Sequence, residues 1–399
     1  MPIGTAVHQR TFALCESLNY RDWAGYYAVS SYEAHHEHEY NAIRNASALI
    51  DVSPLFKYLV TGKDAARFVD RLITRDVAKL AVGQVFYTPW CDEYGKVIDD
   101  GTVSRLSEGT FRWTAAEPNL RWFRQNSADL EVSIEDISEI TAALALQGPT
   151  SGLLLRDVAE ADIGALKYFR VTTGRIAGVP VEISRTGYTG DLGYEIWIPA
   201  EHALRVWDAL VTAGPNFGLR PAGMLALDVA RTEAGLLLIE VDFHSSRKAL
   251  IPSHAYTPFE LGLGRLVSLE KERYIGASAL AAAAAEEPRR RIVGLELDWV
   301  AVERIHNALG LPVSVGATAS RVAVPVYRAG RQVGKATSTT WSPVLKKLIA
   351  LATIDGPHDA VGTEVRVEVS VEAVRYQVPA RVVQTPFFNP PRKVQAPGH

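Results

Sequence analysis

Cysteine is almost missing from this chain: of 399 residues only Cys15 and Cys91 carry a thiol. Two distant thiols give neither a disulfide framework nor a metal-binding spacing, and such usage fits a reducing compartment. No apolar run is long enough to cross a bilayer. Residues 1–17 lack an apolar stretch behind basic residues, so no export signal is read and a cytoplasmic location is expected. Charge of one sign is scarce as well: 42 Lys and Arg stand against 45 Asp and Glu, a net −3, with the two signs interspersed. That balance leaves no electrostatic footprint for nucleic acid, and neither nucleic acid nor membrane is expected as a partner. Phosphate-binding glycine motifs are lacking too. There is no P-loop, and Gly262-Leu-Gly264 has neither the third glycine nor the βαβ setting of a dinucleotide site. No repeat of fixed period occurs.

What is present is enough apolar material, 47%, for sizeable cores, in a chain long enough for two or three domains. Residues 64–76 read as a helix with Ala65, Phe68, Val69, Leu72 and Ile73 on one face. Residues 201–212 read as another, with Ala203, Val206, Trp207, Leu210 and Val211 in a stripe and Gly214 as a stop. Short strands are expected at 142–146, 179–184 and 194–198. An Ala-rich helix end over 278–291 marks a boundary. Beyond it, residues 292–297, 322–327, 332–336, 347–354, 364–369 and 375–383 read as strands of a C-terminal barrel or sandwich. The Pro-rich tail, 385–399, is expected to be loosely ordered.

Chemistry concentrates at Asp99 and Asp100. They lie on the return strand of a hairpin whose outgoing strand is 85–90 and whose turn, 91–96, holds Gly95 for a positive φ. Adjacent strand residues point to opposite faces, so one aspartate looks into a site and the other does not. The turn Arg185-Thr-Gly-Tyr-Thr-Gly190, followed by Gly193-Tyr-Glu195, has two glycines that permit close backbone approach of a ligand, with Arg185, Tyr188 and Glu195 around it. A carboxylate such as Glu195 suits a flat edge of N–H donors. The alternative is a tight structural turn. Asp228, Arg231 and Thr232 fall at helical spacing, which fits a salt-bridge ladder as well as a site. His35, His38 and Glu39 share one helical face, but no distant ligand motif joins them; a solvated helix is the preferred reading and no metal is expected.

Taken in order, Asp51-Val-Ser53, Ile98-Asp-Asp100, Gln147-Gly-Pro149, Arg185-Thr-Gly-Tyr-Thr-Gly190, Gly193-Tyr-Glu195, Arg231-x-Glu233-Ala, Pro258-Phe-Glu-x-Gly-Leu263, Tyr274-Ile-Gly276 and Ser342-Pro343 resemble the glycine cleavage system T protein (aminomethyltransferase) family. The resemblance covers nearly the whole chain. It implies an α+β fold, a three-domain cloverleaf with a discontinuous first domain and a C-terminal β-barrel. The expected division is a folate-binding domain over 1–52 plus 138–240, a second domain over 53–137 bearing the aspartate hairpin, a connecting segment over 241–290, and the barrel over 291–385. The resemblance further implies tetrahydrofolate as cofactor, with Asp100 beside its reactive N5, Glu195 on the pterin, and Tyr87, Tyr188, Arg185 and Thr114 among the folate-contacting residues. Asp99 is left a structural role.

Departures from the family lie toward the one-carbon donor. An arginine of the family is Leu227 here, its His after Asp-Val-Ser is Pro54, and its Asn after the aspartate strand corresponds to Thr114. Gly101-Thr102 replaces Leu-Ile. An extra segment, 243–256, carries His244, His254 and Tyr256. The expected substrate-side residues are therefore Leu227, Asp228, Arg231, His244, His254 and Tyr256. The expected activity is that of the family's demethylase relatives: transfer of a methyl group from a small O-, N- or S-methyl donor to N5 of tetrahydrofolate. For an oxygen leaving group, Tyr87, His244, His254 and Tyr256 are candidate proton donors. The alternatives are aminomethyl transfer in glycine cleavage, with a lipoyl carrier protein as partner, and a folate-binding regulator without turnover.

Overall fold

The computed structural model describes residues 1–271, 273–314, 316 and 318–395. They form two compact units. One holds Met1–Trp90, Asp99–Ala230 and the described residues from Asn389 on; the other holds Cys91–Ile98 and Arg231–Phe388.

The first unit contains two main sheets. The six-stranded sheet runs Val171–Ile176, Val179–Ser184, Gly193–Pro199, Thr141–Gln147, Ser47–Asp51, Leu219–Pro221. Its central strand, Thr-Ala-Ala-Leu-Ala-Leu-Gln, sorts its side chains by size. Ala142, Leu144 and Leu146 pack with Ile183, Tyr194, Ile196 and Ile198 beneath the helices Ser151–Val158 and Ala203–Ala213, which bring Leu154, Leu155, Val206, Trp207 and Leu210. Each such buried aliphatic side chain contributes about 1.5–3 kcal/mol. Alternation puts Ala143, Ala145 and Gln147 on the other face, in register with Trp197, Glu195 and Gly193.

The five-stranded sheet runs Val85–Cys91, Val97–Ser107, Thr110–Ala115, Phe56–Thr61, Ser133–Asp136. One face is an aromatic core in which Trp113 meets Trp90 at 5.1 Å and Phe123 at 4.4 Å between ring centroids. Tyr58 meets Phe123 edge-on at 5.1 Å. The opposite face carries Asp100, Thr102, Ser104, Arg112, Thr114 and Lys57, which the strand registers place in rows. Gly101 is compelled by this pairing: a Cβ there would stand 2.0 Å from the Thr114 carbonyl oxygen.

In the second unit six strands, Arg290–Leu297, Lys347–Asp355, Arg331–Ser342, Val324–Arg328, Glu364–Val371 and Val374–Val383, close into a barrel. Leu295, Val326, Ala350, Ala352, Val367, Val378 and Val382 fill its interior. A helix absent from the sequence reading, Trp299–Ala308, follows its first strand; Asp298 caps it by accepting from the Ala301 N–H at 3.1 Å. The tail differs from expectation. Over residues 389–395 it is held within the first unit, where Arg392 grips both oxygens of buried Asp191 at 2.7 and 2.8 Å. The last four residues of that tail lie outside the described residues. Among the described residues no helix is long and apolar enough to cross a membrane.

Candidate active site

The two sheets of the first unit bury polar side chains on their second faces, and here the aspartate pair divides its labour. Asp99 faces the aromatic side and is wholly buried. Its carboxylate accepts from the Asp100 N–H at 2.8 Å, the Glu117 N–H at 3.1 Å and Asn119 Nδ2 at 2.9 Å. Asn119 in turn accepts from Trp90 Nε1 at 3.2 Å. Burial, then the charge of Asp100, pushes the Asp99 pKa well above the usual range. Asp99 thus ties the loop after the third strand to the hairpin, and Asn119 is its partner. Sequence reasoning missed the role of Asn119, for which an Asn four residues past the strand end was the only signal.

Asp100 lies on the polar face, half-buried, and its Oδ2 accepts from the Tyr87 hydroxyl at 2.6 Å. Burial pushes its pKa up to about 6, against the Tyr87 hydrogen bond, which favours the ionised form. A carboxylate poised there exchanges protons near neutral pH. Thr114 shares the face and meets Thr102 hydroxyl to hydroxyl at 2.5 Å. Next in that row, buried Lys57 donates to the carbonyls of Ser53 and Leu55 at 2.6 and 2.7 Å and so pins the loop containing Pro54. Burial pulls its pKa down to about 8.

On the facing sheet, Glu195 is half-buried and accepts from the Thr186 hydroxyl at 2.5 Å. Burial raises its pKa; Thr186, then Arg112, oppose the rise. Its register partner is Ala145, so a small side chain lies beside it. Gly187 and Gly193 serve a different purpose from close ligand approach. A Cβ at either would stand 2.1–2.2 Å from Gln147 Oε1, and the Gln147 amide donates to the Thr186 and Tyr194 carbonyls at 3.3 and 3.2 Å. Gly190, at φ +72°, makes the turn. Tyr188 is half-buried in this turn.

Arg185 does not join this group. Alternation turns it away from Ser184 and Glu195, and its guanidinium donates to the carbonyls of Leu166 at 3.2 Å, Lys393 at 3.2 Å and also Gln395. Leu227 is buried, and Asp228 pairs with Arg21 at 3.4 Å. In the second unit Arg231, wholly buried, donates to Asp242 at 2.6 Å and Ser338 at 2.8 Å, so it fastens a loop to the barrel instead of forming a helical ladder. Also there, His244 lies 3.2 Å from Glu240 and 5.7 Å, ring to ring, from His254. The Tyr256 hydroxyl is buried against Thr353 at 3.1 Å, under the Arg290 guanidinium. Glu39 is buried and accepts from the N–H groups of Tyr32 and Gly223 at 2.6 and 2.7 Å, away from exposed His35 and His38.

Known proteins agree with this architecture. Residues 5–271 match the family described as the GCVT N-terminal domain, and residues 308–389 match the glycine cleavage T-protein C-terminal barrel domain. The fold aligns with the glycine cleavage system aminomethyltransferase T of Bartonella henselae at a TM-score of 0.82, 22% identity, and 98% and 99% coverage of the two chains. An aminomethyltransferase of Caldanaerobacter subterraneus subsp. tengcongensis is 36% identical over 82% of each protein, and one of Halalkalibacterium halodurans is 35% identical over 93% of this chain and 94% of that protein. A trimethylamine-oxide aldolase of Ruegeria pomeroyi is 36% identical over 88% of this chain, which spans only 43% of that relative.

Fold and matches together define a one-carbon transferase that uses tetrahydrofolate. The chain belongs to the glycine cleavage T-protein family.

Proposed function

We propose that this enzyme is a demethylase, moving a methyl group from a small methylated donor to N5 of tetrahydrofolate. The observation that carries the acceptor half is the Tyr87–Asp100 pair, a half-buried carboxylate whose pKa is pushed up to about 6. Bound tetrahydrofolate supplies the accepting nitrogen. Asp100 orients that nitrogen and takes its proton; with Oδ2 held by Tyr87, the proton is taken at Oδ1. Alignment of donor and acceptor can supply several kcal/mol of the barrier, and the carboxylate a further factor of roughly 10²–10⁴. Glu195 anchors the pterin through its N–H edge, Thr186 orients Glu195, and Tyr188 and Thr114 line the same folate.

For the donor, buried Leu227 stands where the family carries an arginine. Removing a cation favours a donor that is itself cationic or becomes so, such as an N-methylated amine or a sulfonium. The relative named for trimethylamine oxide supports a small methylated nitrogen compound. A second reading, aminomethyl transfer from a lipoyl carrier protein, is favoured by the two aminomethyltransferases that match along most of both chains.

One experiment separates the two. The protein is incubated with tetrahydrofolate and either a panel of O-, N- and S-methyl donors or an aminomethyl-lipoyl protein. Formation of 5-methyltetrahydrofolate from a panel member is expected; ammonia release from the lipoyl substrate, with every methyl donor blank, overturns the demethylase.

A further inference from the structure

The polar face of the five-stranded sheet holds two charged groups that no motif singles out, Lys57 and Arg112. Arg112 is 3% exposed, flanked in sequence by Phe111 and Trp113. It reaches from its own sheet to the other: Nη1 donates to Glu182, and the guanidinium carbon lies 4.2 Å from the centroid of the Trp197 ring. Glu182 is in register with Trp197, and Ser184 with Glu195, so Arg112 meets the face on which Glu195 stands.

Its hydrogen bonding is incomplete. Nε and Nη2 are buried and have no partner among the described residues. These two N–H groups form the edge that Arg10 uses to grip both oxygens of Asp208 at 2.7 and 2.8 Å. A bridge between sheets would be better made by apolar side chains, because burying an ion pair costs more than it returns unless its hydrogen bonds are complete. The charge itself therefore calls for a use.

The surroundings of Glu195 supply one. The strand on one side brings Glu182 and Ser184, the strand on the other brings uncharged Ala145 and Gln147, and the turn brings Thr186. The facing sheet brings Arg112, with Lys57 two strand positions along in register. Without Arg112, two carboxylates would share one desolvated wall.

We propose that Arg112 is a positioning residue for Glu195: its charge keeps that carboxylate an anion, and its hold on Glu182 and Trp197 steadies the wall from which Glu195 meets the pterin. The inference rests on Glu195 as the pterin anchor. Burial pulls the Arg112 pKa down to about 9, so the cation persists at neutral pH.

The test is the dissociation constant of tetrahydrofolate, measured anaerobically by calorimetry from pH 5.5 to 8.5. Arg112→Gln is expected to weaken binding most at pH 5.5, by up to about tenfold, the limit set by about one pK unit on Glu195, with the loss shrinking toward pH 8.5. Arg112→Lys, which keeps the charge, should stay within about threefold of wild type. In a Glu195→Gln background, Arg112→Gln should add no further loss. Unchanged affinity, or a loss independent of pH, overturns the proposal while leaving Glu195 in place. Wild-type affinity in Glu195→Gln alone overturns the anchor reading itself. Should Arg112→Gln fail to fold, Glu182→Gln tests the same point with opposite sign: it leaves Arg112 to Glu195 alone, and binding should tighten below pH 6. No tightening there overturns the proposal.

Discussion

The facing sheets of the first unit and the barrel of the second are both buried, yet they are filled by opposite means. The barrel interior is aliphatic, and a buried carboxylate beside its strand Arg331–Ser342 has both oxygens engaged. Asp242 Oδ1 accepts from Thr337 and Ser338 at 2.7 Å each, while Oδ2 takes Arg231 at 2.6 Å. The inter-sheet faces instead bury Asp100, Glu195, Arg112 and Lys57 with small or hydroxylated neighbours. They leave Arg112 with unpaired N–H groups and push three of the four side chains, Asp100, Arg112 and Lys57, to values between about 6 and about 9. Polar groups buried at such expense and left unsaturated mark a place built for something else to bind. A carboxylate met on both oxygens by side chains of one wall marks a fastener.

The comparison breaks most readily at its two charged centres. Asp100→Asn keeps shape and removes the base; turnover should fall by roughly 10²–10⁴-fold while tetrahydrofolate affinity moves by less than about threefold. Single-turnover kinetics beside calorimetry checks this, and near-normal turnover would sink the assignment. Asp242→Ala, at the fastener, should do the reverse. Leaving Arg231 buried without its partner should lower unfolding stability by about 3–5 kcal/mol, read by urea titration. At a temperature where the variant is folded, its affinity for tetrahydrofolate should be that of the wild type.

The two regions also differ in how far the sequence disclosed them. The barrel was legible because six β-rich runs with turns between them can only close or sandwich. Its helix Trp299–Ala308 was overlooked although Val302 and His306, four apart, carry its buried face. In the first unit, strand alternation set Asp99 and Asp100 on opposite faces, while the family motif, not the alternation, pointed to Asp100. The Ala/Leu alternation of Thr141–Gln147 was read only as an apolar strand, whereas it encodes one packed and one open face. Arg112 went unnoticed because an arginine between two aromatics reads as an outward residue of a half-exposed strand; only the second sheet makes that side an interior. Arg185 and the tail were opaque for another reason. The tail carbonyls that Arg185 meets lie some two hundred residues away in sequence, beyond the reach of any local pattern.

The finest distinction within the site is between the carboxylate and the hydroxyl that holds it. Asp100 has a folded-state pKa raised above its ordinary 3.8 to about 6, so the protonated form is favoured by burial. Its contribution to stability is present below about pH 4 and is lost as pH rises through about 6. In the proposed role of Asp100 as base, activity runs the opposite way: turnover needs its carboxylate, so the pH profile should climb through about 6 and level above it. Tyr87 donates to the ionised oxygen and works against the rise. Tyr87→Phe should therefore move the inflection to higher pH, slow turnover at pH 6, and leave turnover at pH 8 within a few-fold of wild type. A merely structural tyrosine would lower both ends of the profile together. An unmoved inflection would show that the hydroxyl orients Asp100 without setting its charge.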